Sequence, residues 1–167
     1  DFSIQHFEAT PIGQVVSVAG LAGNYGAFNA PVFGVHQAQN LAVAIAAVEA
    51  FLGGGELAIA DDVLRSAVSD VSSPGRLQLV RTEPPLLLDG AHNPAGALTL
   101  AETLKTEFSD KPLIALIAVL ADKDAEGLLA NLSGIFERAV ITQSTSVRSM
   151  SIADLEPVAS SSLDCDV

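Results

Sequence analysis

The most constraining feature of this 167-residue chain is an alternation of short apolar runs with segments of helical periodicity that begins after residue 75. Short apolar runs predict strands, and apolar residues spaced three or four apart predict helices. Strands are predicted at 76–81, 85–89, 113–120 and 138–142, and helices at 94–108, 125–132 and 151–159. Because strands joined by helices pair in parallel with right-handed crossovers, this order predicts an α/β fold with a mostly parallel sheet and flanking helices. Residues 113–120 lack alternation, which indicates a strand buried on both faces.

The first 73 residues follow a different pattern. Residues 13–19 predict a strand, whereas the Gly- and Asn-rich residues 20–29 predict turns and a loop. Helices are predicted at 36–52 and at 61–71, the second with Asp61 as N-cap. Ser72-Ser73-Pro74-Gly75 then interrupts the pattern. We therefore predict two domains, 1–73 and 74–167, with the second truncated at its end.

Composition and charge exclude several functions. The formal net charge is −12 and only eight residues are Lys or Arg, so the chain repels phosphate backbones and nucleic-acid binding is not expected. No basic cluster is available for anionic lipid, and the apolar runs are far shorter than the ~20 residues of a membrane span. The single cysteine, Cys165, cannot form an internal disulfide. These features predict a cytoplasmic enzyme without a membrane partner.

The segment from Leu86 to Pro94 is the most informative for chemistry. A predicted buried strand ends in Asp89, and a short loop with His92 leads to Asn93, a suitable N-cap, with Pro94 as the first helical residue. Ligands bind beyond the carboxyl ends of parallel strands, so Asp89 and His92 are predicted to face a shared crevice. The helix N-terminus there attracts anions. The residues alone equally allow that Asp89 only ends a strand and that His92 only fills a loop.

Two further segments carry polar side chains at positions that could bind a ligand. His36 and Asn40 lie four residues apart on one face of a helix, where they could contact a nucleotide base, although capping and a polar surface explain them more simply. Asp122-Lys123-Asp124 follows a predicted strand at the same edge of the sheet, and a solvated charged loop is the competing interpretation. Arg76 could reach a phosphate or be a surface charge.

Common phosphate-loop and metal motifs are missing from the sequence. No lysine follows a glycine, so there is no Gly-x-x-x-x-Gly-Lys-Ser/Thr loop. No His, Cys or carboxylate spacing predicts a metal site. Phosphate-loop and metal chemistry is therefore not predicted within this chain.

Taken together, four motifs resemble the folylpolyglutamate synthase/dihydrofolate synthase family of the Mur ligase superfamily. They occur in order along nearly the whole chain: Gly34-x-His36-Gln37-x-x-Asn40, Ser73-Pro74-Gly75-Arg76-Leu77, Leu88-Asp89-Gly90-Ala91-His92-Asn93-Pro94 and Asp122-Lys123-Asp124. The resemblance implies that residues 1–73 end a central ATPase domain. It implies that residues 74–167 belong to a Rossmann-like C-terminal ligase domain.

The resemblance also implies roles for individual residues in binding ATP. Asp89 holds the ribose, Arg76 approaches the phosphates, and Asn40 with His36 or Gln37 lies near the adenine.

For the glutamate half of the reaction, the resemblance implies that His92 lies near the γ-phosphate and the incoming glutamate, as a catalytic residue. Lys123 is a candidate for binding the glutamate carboxylate. Arg148 matches a family arginine whose role the sequence does not assign.

The implied reaction uses ATP and Mg²⁺ to join L-glutamate to dihydropteroate or folate through an acyl phosphate. The phosphate loop and the metal ligands of the family lie upstream, so the isolated chain is expected to be inactive. The family is usually monomeric. Two alternatives stay open: a cell-wall ligase acting on UDP-muramyl substrates, and a non-catalytic nucleotide-binding module.

Overall fold

The computed structural model describes residues 1–167, which form two compact units, Asp1–Asp89 and Gly90–Val167. The first unit contains β1 (Ser3–Thr10), β2 (Gly13–Ala19), β3 (Asn24–Ala30), α1 (Val35–Gly53), α2 (Asp61–Ser69), β4 (Gln78–Thr82) and β5 (Pro85–Leu88). The second contains α3 (Pro94–Glu107), β6 (Ile114–Ile117), α4 (Ala125–Asn131), β7 (Arg138–Ile141) and α5 (Ile152–Ser162). The domain boundary predicted after residue 73 stays a prediction; in the structure β4 and β5 are part of the first unit.

The core of the first unit lies between an antiparallel sheet, in the order β1-β2-β3, and helices α1 and α2. Val16 and Val18 of β2 alternate with less buried residues and face this core. The prediction of a loop at residues 20–29 is wrong for most of its length, because Asn24–Ala30 is strand β3. Its low strand propensity is overridden by the ladder with β2 and by burial of Tyr25 and Phe28.

Helix α1 is apolar on more than one side. It buries Ala38, Ala42 and Ile45 in the core, yet on other sides it leaves Val43 and Phe51 exposed, Phe51 by 88%. Gly54 ends the helix in a left-handed conformation with φ 61°, as the predicted glycine stop requires. Despite this apolar character, neither α1 nor any other helix has the length and hydropathy of a membrane span.

The sequence predicted strands of a mostly parallel sheet at this point, whereas β4 and β5 form an antiparallel hairpin. β5 pairs antiparallel with β4, with Gln78 opposite Leu88, and the leucines Leu86 and Leu88 are 43% and 48% exposed. The prediction of a buried strand before Asp89 is therefore wrong for this chain. An apolar run indicates that a strand can be buried, but burial also needs a packing partner for each face.

The second unit contains the predicted parallel pairing. β6 and β7 pair in parallel, from Ile114 opposite Arg138 to Ile117 opposite Ile141, which confirms the α/β prediction. Helices α3, α4 and α5 pack against one face of this pair around the fully buried side chains of Leu129 and Leu155. On the other face Ile114 and Leu116 are 71% and 72% exposed. The prediction that β6 is buried on both faces is therefore wrong, since only one of its faces is covered.

The start of α3 follows the capping rules, whereas the start of α2 does not. The predicted N-cap Asn93 is confirmed, because its Oδ1 accepts a hydrogen bond from Gly96 N at 2.8 Å. The predicted N-cap Asp61 is wrong, since Ala60 holds that position and Asp61 is the first helical residue. Asp61 instead pairs with Arg65 one turn later, at 2.6 Å.

Candidate functional site

A tight turn presents Arg76 just before β4. Gly75 and Leu77, on either side of it, have positive φ angles of 66° and 45°. A left-handed conformation is unfavourable for leucine, so its surroundings must hold it in place. The Leu77 side chain is buried, and Gly75 N donates a hydrogen bond to Gln78 Oε1 at 3.1 Å. The Arg76 side chain itself is exposed.

Asp89 ties the end of the hairpin to this turn. Its Oδ2 accepts a hydrogen bond from Leu77 N at 2.9 Å. The bond crosses the open end of the hairpin, where Gln78 lies opposite Leu88. The carboxylate predicted to bind ribose is therefore held beside the arginine predicted to approach phosphate.

His36, in the first turn of α1, lies within the electric field of both residues. Burial lowers the pKa of His36, the Asp89 carboxylate opposes this effect, and the Arg76 guanidinium adds to it. The net direction is down from 6.5, so the imidazole is neutral at pH 7. A neutral imidazole can both donate and accept a hydrogen bond. The structure thus brings His36, Arg76 and Asp89 together in the first unit.

The other two residues predicted for nucleotide binding lie on the same end of α1. Asn40 Nδ2 donates to Gln37 Oε1 at 3.2 Å, and Asn40 is exposed. The N-cap of α1 is Gly34, with φ 91° and no side-chain cap, and the first turn contains no acidic residue. The start of α1 therefore combines amide side chains with the positive end of a helix dipole.

His92 and Lys123 belong to the second unit. His92 is exposed, and its Nδ1 lies 2.9 Å from Gly90 O. Because a carbonyl oxygen can only accept, this bond favours the tautomer with the proton on Nδ1 and leaves Nε2 as an acceptor. Lys123 Nζ lies 3.6 Å from Asp122 Oδ2, and its side chain is 30% exposed. The predicted crevice shared by Asp89 and His92 stays a prediction, as do the roles of all these residues.

Sequence reasoning missed the hydrogen bond between Gly75 N and the Gln78 side chain and the conformation of Leu77. The available signal was the interval from Gly75 to Gln78, because a polar side chain three residues after a turn glycine can reach its amide. The positive φ of Leu77 had no sequence signal, since leucine rarely adopts it.

Two further structural findings concern metal-binding clusters and a surface groove. No group of three or more His, Cys, Asp or Glu side chains is arranged to hold a metal ion. A shallow groove of about 460 Å³ lies beside β7 and α5, but none of the predicted site residues line it.

The class of protein follows from the fold and a family comparison. Residues 75–163 match the family model of the Mur ligase, glutamate ligase domain. The chain therefore belongs to the Mur ligase family, and its α/β fold with a parallel strand pair agrees with that membership.

Within this family the chain is most informatively compared with folate enzymes. It is 40% identical over 156 residues to the dihydrofolate synthase/folylpolyglutamate synthase of Mycobacterium tuberculosis, which covers 93% of this chain and 32% of the relative. The Bacillus subtilis enzyme of the same name is 37% identical over 129 residues, or 77% of this chain and 30% of the relative. These similarities confirm the resemblance predicted from the motifs.

The backbone of this chain is also similar to that of a solved folylpolyglutamate synthase. Folylpolyglutamate synthase of Mycobacterium tuberculosis complexed with ADP matches with a TM-score of 0.87 and 38% identity, over 96% of this chain and 35% of that one. This chain thus spans about a third of the length of the relatives that it matches.

Proposed function

We propose that this chain is the C-terminal part of an ATP-dependent ligase that adds L-glutamate to dihydropteroate, folate or both. The main supporting observation is the hydrogen bond from Leu77 N to Asp89 Oδ2, which holds Asp89 beside the turn that carries Arg76. The charges of both residues also act on the pKa of His36. Two of these residues, Arg76 and Asp89, lie in the region that matches the glutamate ligase domain. The relatives' names and the ADP in the Mycobacterium tuberculosis structure support the nucleotide and the folate substrate.

In this proposal the first unit binds ATP. A carboxylate accepts hydrogen bonds from neighbouring hydroxyls, which suits Asp89 to the ribose. The guanidinium of Arg76 donates to phosphate oxygens. The neutral imidazole of His36 and the amides of Gln37 and Asn40 are suited to the polar edge of adenine.

The second unit binds glutamate. Lys123 offers a positive charge to a glutamate carboxylate. We propose His92 as the catalytic residue of this chain, whose Nε2 accepts a proton as the amine of glutamate attacks.

The proposed reaction has two steps. The substrate carboxylate attacks the γ-phosphate of ATP, which forms an acyl phosphate and releases ADP. The glutamate amine then attacks the acyl carbon, a C–N bond forms, a proton leaves the amine, and inorganic phosphate departs. Holding both substrates together removes much of the entropic barrier. We propose Mg²⁺ for the whole enzyme, with its ligands outside this chain.

The first experiment measures phosphate release with ATP, L-glutamate and either dihydropteroate or folate. The full-length protein is expected to turn over, and the isolated chain is not. Turnover only with UDP-muramyl substrates would contradict the folate assignment. ATP binding without any turnover by the full-length protein would instead favour a non-catalytic nucleotide-binding module.

The second experiment substitutes Asp89→Asn in the full-length protein. Losing charge-assisted hydrogen bonds costs about 1.5–3 kcal/mol, so the KM for ATP should rise on the order of 10- to 100-fold. Asp110→Asn, at an exposed position after α3, is the matched control and should change nothing. An unchanged KM for ATP in Asp89→Asn would refute the assigned ribose contact.

A further inference from the structure

The turn before β4 has the backbone amides of residues 75–77 all hydrogen-bonded within the chain. Gly75 N donates to Gln78 Oε1 at 3.1 Å. Arg76 N donates to Ser73 O at 3.0 Å. The third amide donates to the carboxylate that follows β5, as described above. The three acceptors come from the start of β4, from the residues before the turn and from the end of the hairpin.

This arrangement decides how the turn can meet an anion. Backbone amides hold a phosphate where successive N–H groups point together into an open concavity. The N–H groups of this turn instead point at acceptors of the same chain. The positive group that the turn presents to solvent is the exposed side chain of Arg76. Binding of an anion here therefore depends on where the turn places this guanidinium.

The conformation of the turn is one that needs support from its surroundings. Gly75 and Leu77 have φ angles of 66° and 45°, and Leu77 is the only residue other than glycine with a positive φ. A side chain in this region persists only where neighbouring contacts hold it. At Leu77 these contacts are the burial of its side chain and the hydrogen bond from its N–H to Asp89.

On the other side of the turn, Gly75 is determined by conformation and not by crowding. A Cβ added at this position would meet no atom within 4 Å. Its positive φ, however, lies in the region that glycine adopts most readily. Because glycine is free to adopt many other conformations, a further contact has to select this one. The hydrogen bond from Gly75 N to Gln78 Oε1 supplies such a contact.

Gln78 is well anchored for this purpose. It is the first residue of β4 and lies opposite Leu88 in the antiparallel ladder with β5. Its side chain is half-buried, so it has less rotamer freedom to lose on bonding Gly75 than an exposed glutamine would have. The strand fixes the backbone of Gln78, and its side chain transmits that position to the turn.

We propose that Gln78 is a positioning residue for nucleotide binding, which holds Gly75 N and thereby directs the Arg76 guanidinium to the phosphates of ATP. This inference rests on the proposed ligase function and on the role of Arg76 within it, and it adds Gln78 to that site. Gln78 itself contacts neither ATP nor glutamate. Its loss therefore weakens ATP binding only through Arg76.

The test uses the full-length protein and measures kcat and the KM values for ATP and for glutamate separately. Gln78→Met keeps the length of the side chain but removes its polar atoms, so Gly75 N loses its acceptor. Losing one neutral hydrogen bond should raise the KM for ATP roughly 2- to 10-fold and leave the KM for glutamate unchanged. Gln78→Glu keeps an acceptor oxygen and should retain most of the affinity for ATP. A KM for ATP as high in Gln78→Glu as in Gln78→Met would refute the role of this hydrogen bond.

A double-mutant cycle shows whether Gln78 acts through Arg76. Arg76→Met alone should raise the KM for ATP on the order of 10- to 100-fold, because it removes charge-assisted bonds to phosphate. In that background Gln78→Met should have little further effect, since the residue that it positions is already gone. Gly75→Ala disfavours the left-handed conformation without a clash, and it should raise the KM for ATP as Gln78→Met does.

Gln5→Met is the matched control. Gln5 is an exposed glutamine of β1 whose Nε2 donates to Ser3 Oγ at 2.7 Å, so this substitution also removes a local side-chain hydrogen bond. It should change neither KM value. If Gln78→Met does not fold, Gln78→Asn takes its place, because its shorter side chain stays polar but holds its oxygen farther from Gly75 N.

The outcomes separate this inference from the proposed function. Wild-type protein without ATP-dependent turnover overturns both. A raised KM for ATP in Arg76→Met with an unchanged one in Gln78→Met overturns the positioning role and leaves the ligase function standing. An unchanged KM for ATP in Arg76→Met overturns the positioning role together with the assigned phosphate contact. Additive effects of the two substitutions, or a lower kcat in Gln78→Met with both KM values unchanged, refute an action through Arg76.

Discussion

Glu49 of α1 is a fully buried carboxylate whose hydrogen-bond partners are neutral donors. Its oxygens accept hydrogen bonds from Tyr25 Oη at 2.6 Å, from Gly23 N at 2.8 Å and from Leu21 N. Tyr25 Oη in turn accepts from Ile59 N at 2.8 Å. This side chain therefore joins the turn between β2 and β3, the second half of α1 and the segment before α2.

The pKa of Glu49 shows that its hydrogen bonds outweigh the effect of burial. Burial raises it, but the hydrogen bonds from Tyr25 and from the backbone of Leu21, Gly23 and Ala22 together lower it below 4.5. Since the folded-state pKa is below the unfolded one, the unfolded state binds the proton more tightly. The stabilisation is complete above pH 4.5 and is lost as the pH falls through the folded-state pKa.

Replacing Glu49 with Gln tests this network. The amide keeps the size, but its NH₂ group cannot accept, so at least one buried donor loses its partner. A hydrogen bond to a charged group contributes about 1.5–3 kcal/mol, and we expect Glu49→Gln to lower the free energy of unfolding by about that amount. Glu49→Ala leaves every donor unpaired and should cost on the order of 3–5 kcal/mol.

Urea unfolding at pH 7, followed by the fluorescence of Tyr25, measures both losses, because the chain has one tyrosine and no tryptophan. With a slope of about 2 kcal/mol per molar urea, Glu49→Gln should move the midpoint by roughly 1 M. Glu56→Gln, at an exposed position, is the control. A midpoint shift for Glu49→Gln no larger than that of the control would refute the reasoning.

Two further predictions concern α3 and α1. Asn93→Ala removes the cap that accepts from Gly96 N and should lower the free energy of unfolding by about 1 kcal/mol. Asn93→Ser should keep most of that stability, and equal stability of the Ala and Ser variants in urea would contradict this prediction. Because the Phe51 ring is 88% exposed, Phe51→Lys should reduce self-association of the isolated chain in analytical ultracentrifugation. It should change the free energy of unfolding by less than about 0.5 kcal/mol, and a larger loss would mean that the ring is packed.

Local rules predicted two helix ends correctly, although the local N-cap prediction for Asp61 was wrong. Helix α3 begins where Asn93 and Pro94 indicate, and α1 ends at the predicted glycines. These signals act within one turn of the chain, so neighbours in the sequence determine them. Strand β3 was missed because its stability comes from β2 and from the core and not from its own residues.

For the candidate site, too, the identities of the residues could be predicted and their contacts could not. Motif order and residue type sufficed to select His36, Arg76, Asp89, His92 and Lys123 from the sequence. Their contacts depended on groups distant in the chain or on conformations without a sequence signal.

By itself, the sequence determined the family, the alternation of strands and helices after residue 75, and the identities of the polar groups available for chemistry. Only the tertiary structure decided that Asp89 is bonded to Leu77 N, that Glu49 is buried among neutral donors, and that Arg148 meets Lys123 across Asp122. The physical reason is the separation along the chain over which each effect acts. Helix propensity and capping depend on residues a few positions apart, whereas burial and ion pairing depend on which distant segments the completed fold brings within a few ångströms.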